Sequence, residues 1–160
     1  MMSSEGAPGW HGFPPNPFNP HAWIVGDPDI GASCWIGAFT VIDGSGGLTI
    51  GDNCDISAGA QIYTHSTVGR VLSGGALPVD RAPVEIGSNV HIGAGAIILM
   101  GSRIGHHSVI GAGCVLAENT EVPPWSVVTG VPGRIRPERA REILAAAQTD
   151  GVKVDEEHGT

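Results

Sequence analysis

The sequence is poor in several residue types on which common folds depend. Aromatic residues make up 5% of the 160-residue chain and charged residues 15%. No apolar run reaches the roughly 18 residues of a membrane-spanning helix, so we expect no such helix. The formal net charge is −8, which argues against the extended basic surface of a nucleic-acid-binding protein.

Signals for secretion, disulfide formation and metal binding are also missing. The N-terminus has no basic region followed by an apolar one, so we predict no signal peptide and a cytoplasmic protein. The three cysteines, Cys34, Cys54 and Cys114, make neither an even disulfide framework nor a Cys-x-x-Cys metal knuckle.

A six-residue repeat is what the sequence does contain. In three in-phase runs that start at Ile24, Ile50 and Ile86, 15 positions spaced by six hold a large aliphatic residue, and twelve of these are Ile. The residue two positions earlier is usually small, and Gly follows the aliphatic residue in seven of the 15 units. Residues two apart in a strand face the same side, so the small and the aliphatic residue both point inward.

This period predicts an all-β fold, a parallel β-solenoid of about five triangular coils, each with three short strands and three corners. Burial of the aliphatic column, at roughly 1.5–3 kcal/mol per side chain, is the expected driving force. All three cysteines fall on the inward small position, where we expect them to fill the core.

The repeat is interrupted twice. The step from Ile42 to Ile50 is eight, across residues 43–47, which predicts a small bulge. The step from Ile62 to Ile86 is 24, or one hexad plus 18 residues, which predicts a structureless loop over about 65–82 that leaves the register intact. Loops of that length in a compact domain are usually functional, and His65 stands where this one begins.

The two ends of the chain do not follow the repeat. Residues 1–21 form a Pro-rich segment for which no helix or strand is expected. After the solenoid, over 22–136, Pro137 is placed to open a helix over 137–148, with Ile143 and Leu144 covering the open end of the core. Residues 149–160 are predicted to be a disordered tail.

The hexads resemble those of the left-handed β-helix acyltransferases, the bacterial hexapeptide-transferase family. The segment VEIGSNVHIGAGAIILMGSRIGHHSVIGAGCVLAENTEVPPWSVVTGVPGRIR is similar to the C-terminal half of maltose, galactoside and polysaccharide-cluster sugar O-acetyltransferases. The resemblance implies a left-handed coil and a homotrimer with active sites in clefts between neighbouring solenoids. It also implies acetyl-CoA as acyl donor, bound along the cleft.

The resemblance assigns a base and several backbone donors. His65, in IYTHS, matches the family's catalytic histidine, and an imidazole with an ordinary pKa near 6.5 suits general-base work at neutral pH. The N–H of Ala94 matches the oxyanion donor, and those of Ala112 and Ala117 would face the pantetheine arm. His91 would line the cleft near that arm, at a position where relatives often carry Trp.

Charged residues supply the remaining candidates. Arg134 and Arg136 would contact the phosphates of CoA through charge-assisted hydrogen bonds. Asp43, at the bulge, would bind acceptor hydroxyls as a carboxylate does there in sugar acetyltransferases, unless it only favours a turn before Gly44. Arg70 and Arg81, in the long loop, would close over an acceptor.

The predicted function is therefore transfer of acetyl from acetyl-CoA to a hydroxyl of a saccharide or similar small molecule, without a metal. N-acetylation of an amino sugar and a non-catalytic scaffold stay open as alternatives. A γ-class carbonic anhydrase is disfavoured because Ala94 and Leu99 would occupy its zinc-ligand positions. Serine acetyltransferase is disfavoured because Ala82 replaces the histidine of its Asp-Arg-His-Pro segment. The sequence does not identify the acceptor.

Overall fold

The computed structural model describes residues 18–149, and the six-residue repeat forms its strands. In chain order the elements are β1 (Trp23–Val25), β2 (Asp29–Ile30), β3 (Trp35–Ile36), β4 (Val41–Asp43), β5 (Leu48–Ile50), β6 (Asp55–Ile56), β7 (Gln61–Ile62), β8 (His65–Ser66), α1 (Val68–Leu72), β9 (Asp80–Arg81), β10 (Val84–Ile86), β11 (His91–Ile92), β12 (Ile97–Ile98), β13 (Arg103–Ile104), β14 (Val109–Ile110), β15 (Val115–Leu116), β16 (Glu121–Val122), β17 (Val127–Thr129), β18 (Arg134–Arg136) and α2 (Arg139–Gln148).

Three walls of stacked parallel strands enclose the core. Wall A has the order β1-β4-β7-β12-β15, wall B the order β2-β5-β10-β13-β16, and wall C the order β3-β6-β11-β14-β17. Wall C carries one more strand, β18, which is antiparallel to β17. The predicted parallel solenoid is thus confirmed, with slightly more than the five coils expected. Its left-handed winding stays a prediction from the resemblance.

The register places the repeated aliphatic residue of each coil directly on that of the next. Ile42 pairs with Ile62, Ile50 with Ile86 and Ile92 with Ile110. Ten of the repeat positions are among the largest fully buried side chains: Ile36, Ile42, Ile50, Ile56, Ile62, Ile92, Ile98, Ile110, Leu116 and Val128. Most of the inward small positions are buried as predicted, while Cys34 and Thr120 are partly exposed. Several polar members bond to corner carbonyls, as Ser102 Oγ does to the Leu99 oxygen at 2.7 Å.

Both interruptions of the repeat lie at the same corner, between wall A and wall B. The bulge joins β4 to β5, and in the next coil the long loop joins β7 to β10. The loop is not structureless, because β8 and β9 form an antiparallel pair that flanks the short helix α1. The insertion therefore leaves and rejoins the solenoid through a closed ribbon, which holds its two ends at the corner.

The C-terminal end differs from the prediction in what covers the core. The helix begins at Arg139, two residues after the predicted start, and Ile143 is 51% exposed, so its predicted covering role is wrong. Ile135 of β18 packs against the core instead. Gly133 belongs to the same cover, since a Cβ there would lie 2.9 Å from Val128 and 3.0 Å from the Cys114 sulfur.

Most of the Pro-rich segment, residues 1–17, and nearly all of the predicted tail, residues 150–160, lie outside the described residues. Phe18, where the described chain starts, packs against the first coil. Neither helix between residues 18 and 149 has the length and apolar character needed to cross a membrane.

Candidate active site

His65 lies at the corner where the long loop leaves wall A, directly above the bulge of the preceding coil. Its Nδ1 is 2.6 Å from Oδ2 of Asp43, the last residue of β4. The two residues are 22 apart in sequence, but the bulge and the loop stack at one corner and bring them together. Asp43 is 2% exposed and the His65 side chain 37%, so the carboxylate supports the ring from inside the protein.

A network of hydrogen bonds holds the carboxylate in place. The N–H of Thr64 donates to Oδ2 of Asp43 at 2.9 Å, and the N–H of Ser45 donates to Oδ1 at 2.9 Å. The Thr64 hydroxyl donates to the Asp43 carbonyl at 3.0 Å and accepts the N–H of Gly46 at 2.8 Å. A Cβ on Gly46 would collide with the Thr64 carbonyl, so the bulge needs glycine there to fit beneath His65.

The charge state of Asp43 fixes which nitrogen of His65 carries the proton. Burial raises the pKa of Asp43, but hydrogen bonds from Thr64, Ser45 and His65 outweigh burial and hold the pKa well below its usual range. The carboxylate is therefore ionised at neutral pH and can only accept a hydrogen bond. In the neutral ring Nδ1 carries the hydrogen, and Nε2, on the side away from Asp43, is the unprotonated nitrogen.

This position of Asp43 differs from the acceptor-binding role that the sequence suggested. Both carboxylate oxygens already accept hydrogen bonds, and the side chain is almost fully buried. The geometry therefore favours orientation of His65 over direct contact with an acceptor. Residues 43–47 also form a turn, so Asp43 has the turn-favouring role before Gly44 as well.

The loop places one of its two candidate arginines beside the histidine. In the antiparallel ribbon, His65 pairs with Arg81, and the N–H of Ala82 donates to the Thr64 carbonyl at 3.1 Å. Arg81 is exposed on the strand opposite His65, while Arg70 is exposed on α1. Tyr63 meets the imidazole edge-on, with ring centres 6.4 Å apart.

The three predicted backbone donors are free and exposed. Within the described part of the chain, no backbone carbonyl accepts the N–H of Ala94, Ala112 or Ala117. For Ala117 the reason is topological, since β15 is the last strand of wall A in the described chain. Ala117 lies on the corner of His65, whereas Ala94 and Ala112 lie on the corner between walls C and A.

A second histidine–carboxylate pair stands on wall C. Nδ1 of His91 is 2.8 Å from Oδ2 of Asp55 in the coil below, and the side chains are 47% and 28% exposed. The hydrogen bond that His91 donates to Asp55 raises the pKa of His91, against a smaller opposite effect of burial. The column above His91 continues through Val109 and Val127 to Arg136 on the same outer face.

The four C-terminal arginines divide into two groups. Arg139 pairs with Glu142, and Arg141 pairs with Glu138 at 2.6 Å while its guanidinium lies 4.1 Å over the Trp125 ring. Arg134 and Arg136 project from β18, and no carboxylate between residues 18 and 149 pairs with either. The two that the sequence singled out for phosphate contact are thus the unpaired ones.

One chain does not bring all these groups into a single pocket. The His65 corner and the Ala94 corner lie at opposite ends of wall A, about 15 Å apart for a six-residue edge. His91 and Arg136 lie on the outer face of wall C. Between residues 18 and 149, no three His, Cys, Asp or Glu side chains are grouped as metal ligands would be.

Sequence reasoning missed the partnership of Asp43 with His65 and the role of Thr64. The signal was present, since the eight-residue step and the 24-residue step fall at equivalent points of consecutive coils. Counting strands by wall would have stacked the two insertions at one corner and placed Asp43 beneath Thr64–His65.

The family comparison agrees with this fold. A model of the hexapeptide repeat of succinyl-transferase matches residues 29–64 and 83–118 on either side of the loop. The chain belongs to the hexapeptide-repeat acyltransferase family. The serine acetyltransferase of Mycobacterium tuberculosis is 38% identical over 107 residues, which cover 67% of this chain and 44% of that protein. This chain thus spans less than half of that relative's length.

Solved structures of the family share the fold. An acetyltransferase of Vibrio cholerae, complexed with acetyl-CoA, has a TM-score of 0.60 and 33% identity over 68% of this chain and 58% of its own. AntD, a Bacillus cereus N-acyltransferase with dTDP and 3-hydroxybutyryl-CoA bound, has a TM-score of 0.64 and 27% identity over 81% and 72%. A maltose O-acetyltransferase from Clostridium difficile has a TM-score of 0.55 and 28% identity over 74% and 66%.

Proposed function

We propose that this protein transfers an acetyl group from acetyl-CoA to a hydroxyl of a saccharide or saccharide-like acceptor, with His65 as general base. The observation that carries the proposal is the buried, ionised Asp43 at 2.6 Å from Nδ1 of His65, which leaves Nε2 unprotonated. The site stands at the root of the inserted loop. Matched relatives and solved structures include acetyltransferases and CoA-bound acyltransferases.

The proposed reaction needs no covalent enzyme intermediate. Nε2 of His65 takes the hydroxyl proton of the acceptor as its oxygen attacks the thioester carbonyl carbon. A free N–H, that of Ala94, stabilises the tetrahedral oxyanion. Collapse forms the ester, breaks the carbon–sulfur bond and expels the CoA thiolate, which recovers the proton from His65. Asp43 acts as a positioning residue that fixes the tautomer and stabilises the imidazolium.

The donor would lie along wall C, with its phosphates at the C-terminal end. His91 and Arg136 share the outer face of that wall and are three strand spacings apart, about 14 Å. An extended pantetheine arm would run between them, with Ala112 at its side and Ala117 on the corner above His65. Arg134 and Arg136 have no carboxylate partner in the described chain, which leaves them free for CoA phosphates.

The separation of these groups supports a site shared between subunits, as in the homotrimer that the resemblance implies. His65 and the donor face lie on different sides of one solenoid, so one chain alone cannot present both to the same substrate. A neighbouring solenoid that packs its wall C against the His65 corner would complete the site. In that arrangement Arg81, beside His65, and Arg70, on α1, would face the acceptor.

N-acetylation of an amino sugar is the second candidate, because the same base would serve an amine, and AntD is an N-acyltransferase. Serine acetyltransferases are also among the matched relatives, although Ala82 stands in place of their histidine. A non-catalytic scaffold is disfavoured by the ordered Asp43–His65 pair. The cytoplasmic location stays a prediction from the sequence.

Thiol release from acetyl-CoA, measured across sugars, amino sugars, nucleotide sugars and serine, tests the proposal. We expect one acceptor class to be active, and His65→Ala to lower kcat/KM by about 10² or more. His106→Ala is the matched control, since His106 is an exposed corner histidine bonded only to His107 through its ring. Equal activity of wild type and His65→Ala would remove His65 from the mechanism. CoA binding without turnover on any acceptor would favour the scaffold.

A further inference from the structure

Two of the three cysteines are stacked on each other in the first two coils. Trp35 pairs with Asp55 and Ile36 with Ile56, so the preceding residues, Cys34 and Cys54, occupy equivalent positions in neighbouring coils. The N–H of Trp35 donates to the Cys54 carbonyl at 2.8 Å, which ties the two positions together. Neighbouring strands lie about 4.8 Å apart, inside the Cα separation of roughly 4.4–6.8 Å that a disulfide spans.

The two side chains also point the same way. The Cys34 thiol donates to the Gly51 carbonyl and the Cys54 thiol to the Gly87 carbonyl, each at 3.1 Å and each at the corner of the next coil. The neighbouring Cys54 lowers the pKa of the Cys34 thiol to about 7, although burial opposes this. The proximity of Cys34, together with burial, raises the pKa of Cys54.

Cys34 and Cys54 differ in exposure, and a reactive dithiol pair needs one accessible thiol. Cys34 is partly exposed in the first coil, whereas Cys54 is 1% exposed beneath it. Cys114 lies in a different column, between walls C and A. Its equivalent in the coil below is Ala96, so it has no sulfur neighbour in its stack.

We propose that Cys34 and Cys54 form a reversible intrachain disulfide that links the first coil of the solenoid to the second. The oxidant is a small disulfide such as oxidised glutathione. The Cys34 thiolate attacks one sulfur of that disulfide and expels a thiolate, which gives a mixed disulfide. Cys54 then loses its proton and attacks the Cys34 sulfur, and the second glutathione leaves. Two protein thiols are oxidised and one small disulfide is reduced to two thiols.

The disulfide would stabilise the N-terminal end of the solenoid. The first coil pairs with only one neighbour on each wall, so it is the coil most free to separate. A bond between residues 34 and 54 closes a loop of about 20 residues and reduces the freedom of the unfolded chain. We expect the oxidised form to have a higher thermal midpoint and unchanged basal turnover, since neither cysteine belongs to the His65 site.

The test uses the full chain incubated natively with oxidised glutathione, followed by alkylation of the denatured chain and mass measurement. We expect one alkylatable thiol of the three, a mass lower by two hydrogens, and full reversal by reductant. Trypsin cannot map the bond, because Arg70 is the first Lys or Arg of the sequence and both cysteines stay in one peptide. Cleavage after Trp35 and Phe39 separates them, so chymotryptic peptides joined only without reductant identify the pair.

Two variants complete the test. Cys54→Ala should trap a stable glutathione adduct on Cys34, because the second step is lost. Cys114→Ala should still lose both remaining thiols on oxidation. The proposal is overturned if wild type keeps three alkylatable thiols, if it retains the glutathione adduct, or if the bond found links two chains.

Discussion

Replacement of Asp43 by Asn tests whether the Asp43 carboxylate orients His65 and fixes its tautomer. The carboxylate accepts hydrogen bonds from His65 and Thr64 on Oδ2 and from Ser45 on Oδ1. An amide has one oxygen, so whichever way the substituted side chain turns, its NH2 faces a donor. If the NH2 faces His65, Nδ1 must accept, the hydrogen moves to Nε2, and the base is lost. If it faces Ser45, the tautomer survives but a buried N–H loses its acceptor.

The size of the effect follows from charge and exposure. The ionised carboxylate and the imidazolium that forms in the transition state have charge centres about 4 Å apart. At an effective dielectric constant of about 20 this is worth about 4 kcal/mol. The His65 side chain is 37% exposed, so solvent screening reduces the value, and we take about 2–3 kcal/mol. The expected fall in kcat is on the order of 10²-fold, with a loss of about 1–3 kcal/mol of unfolding free energy from the unsatisfied buried group.

The assay is thiol release from acetyl-CoA at saturating acceptor, with urea unfolding measured on the same samples. Asp52→Asn is the matched control, because Asp52 also accepts a backbone N–H, that of Ala32 at 2.7 Å, but at the corner between walls B and C. Its turnover should equal that of wild type. An Asp43→Asn protein that folds normally and keeps wild-type kcat would refute the orienting role of Asp43.

Three further predictions concern the donor, the core and pH. Arg136→Ala should raise KM for acetyl-CoA about tenfold with little change in kcat, as expected for one lost charged hydrogen bond. Arg139→Ala should leave KM unchanged, because Arg139 is already paired with a carboxylate. Equal effects of the two substitutions would contradict the assignment of Arg136 to a CoA phosphate. Ile98→Ala should cost about 2–5 kcal/mol in urea unfolding because its side chain is fully buried; a loss under about 1 kcal/mol would contradict the stacked core. The raised pKa of His91 means that its pairing with Asp55 stabilises the fold fully below the unfolded pKa of about 6.5 and is lost as pH rises through the folded value. His91→Gln should therefore be less stable than wild type by no more than about 1 kcal/mol at pH 5 and equal to it at pH 9, and a pH-independent difference in unfolding free energy would contradict the pairing.

The repeat made the solenoid predictable because each coil obeys the same local rule. An aliphatic residue every six positions has one consistent solution, a column, and Ile42, Ile62 and Ile98 occupy it with no exposed surface. The two interruptions were also visible as phase shifts. What the loop contains was not, because β8 and β9 pair with each other and owe nothing to the period.

The residues that cover the C-terminal end of the core could not be predicted from the helix sequence alone. Ile143 and Leu144 looked suited to cover the core because they are the large apolar residues of α2. The core is covered earlier in the chain, where Gly133 lets β18 approach closely and Ile135 packs inward. The helix instead meets Trp125, whose carbonyl accepts the N–H of Ala140 at 3.0 Å.

The sequence predicted the individual site residues but not how they pair. His65 could be found from its neighbours in sequence, and the arginines from their clustering. The partnership with Asp43 depends on which corners stack, a property of the coil count rather than of either segment. The same stacking decides that Thr64, with no exposed surface, holds the carboxylate.

The tautomer of His65 can be measured directly from its ring nitrogen resonances in 15N-labelled protein, at a pH high enough for the ring to be neutral. We expect a protonated Nδ1 and an unprotonated Nε2 in wild type, with the pattern disturbed in Asp43→Asn and retained in Asp52→Asn. A hydrogen on Nε2 in the wild-type protein would mean that the nitrogen facing away from Asp43 cannot take a proton from an acceptor, and the proposed base would be excluded.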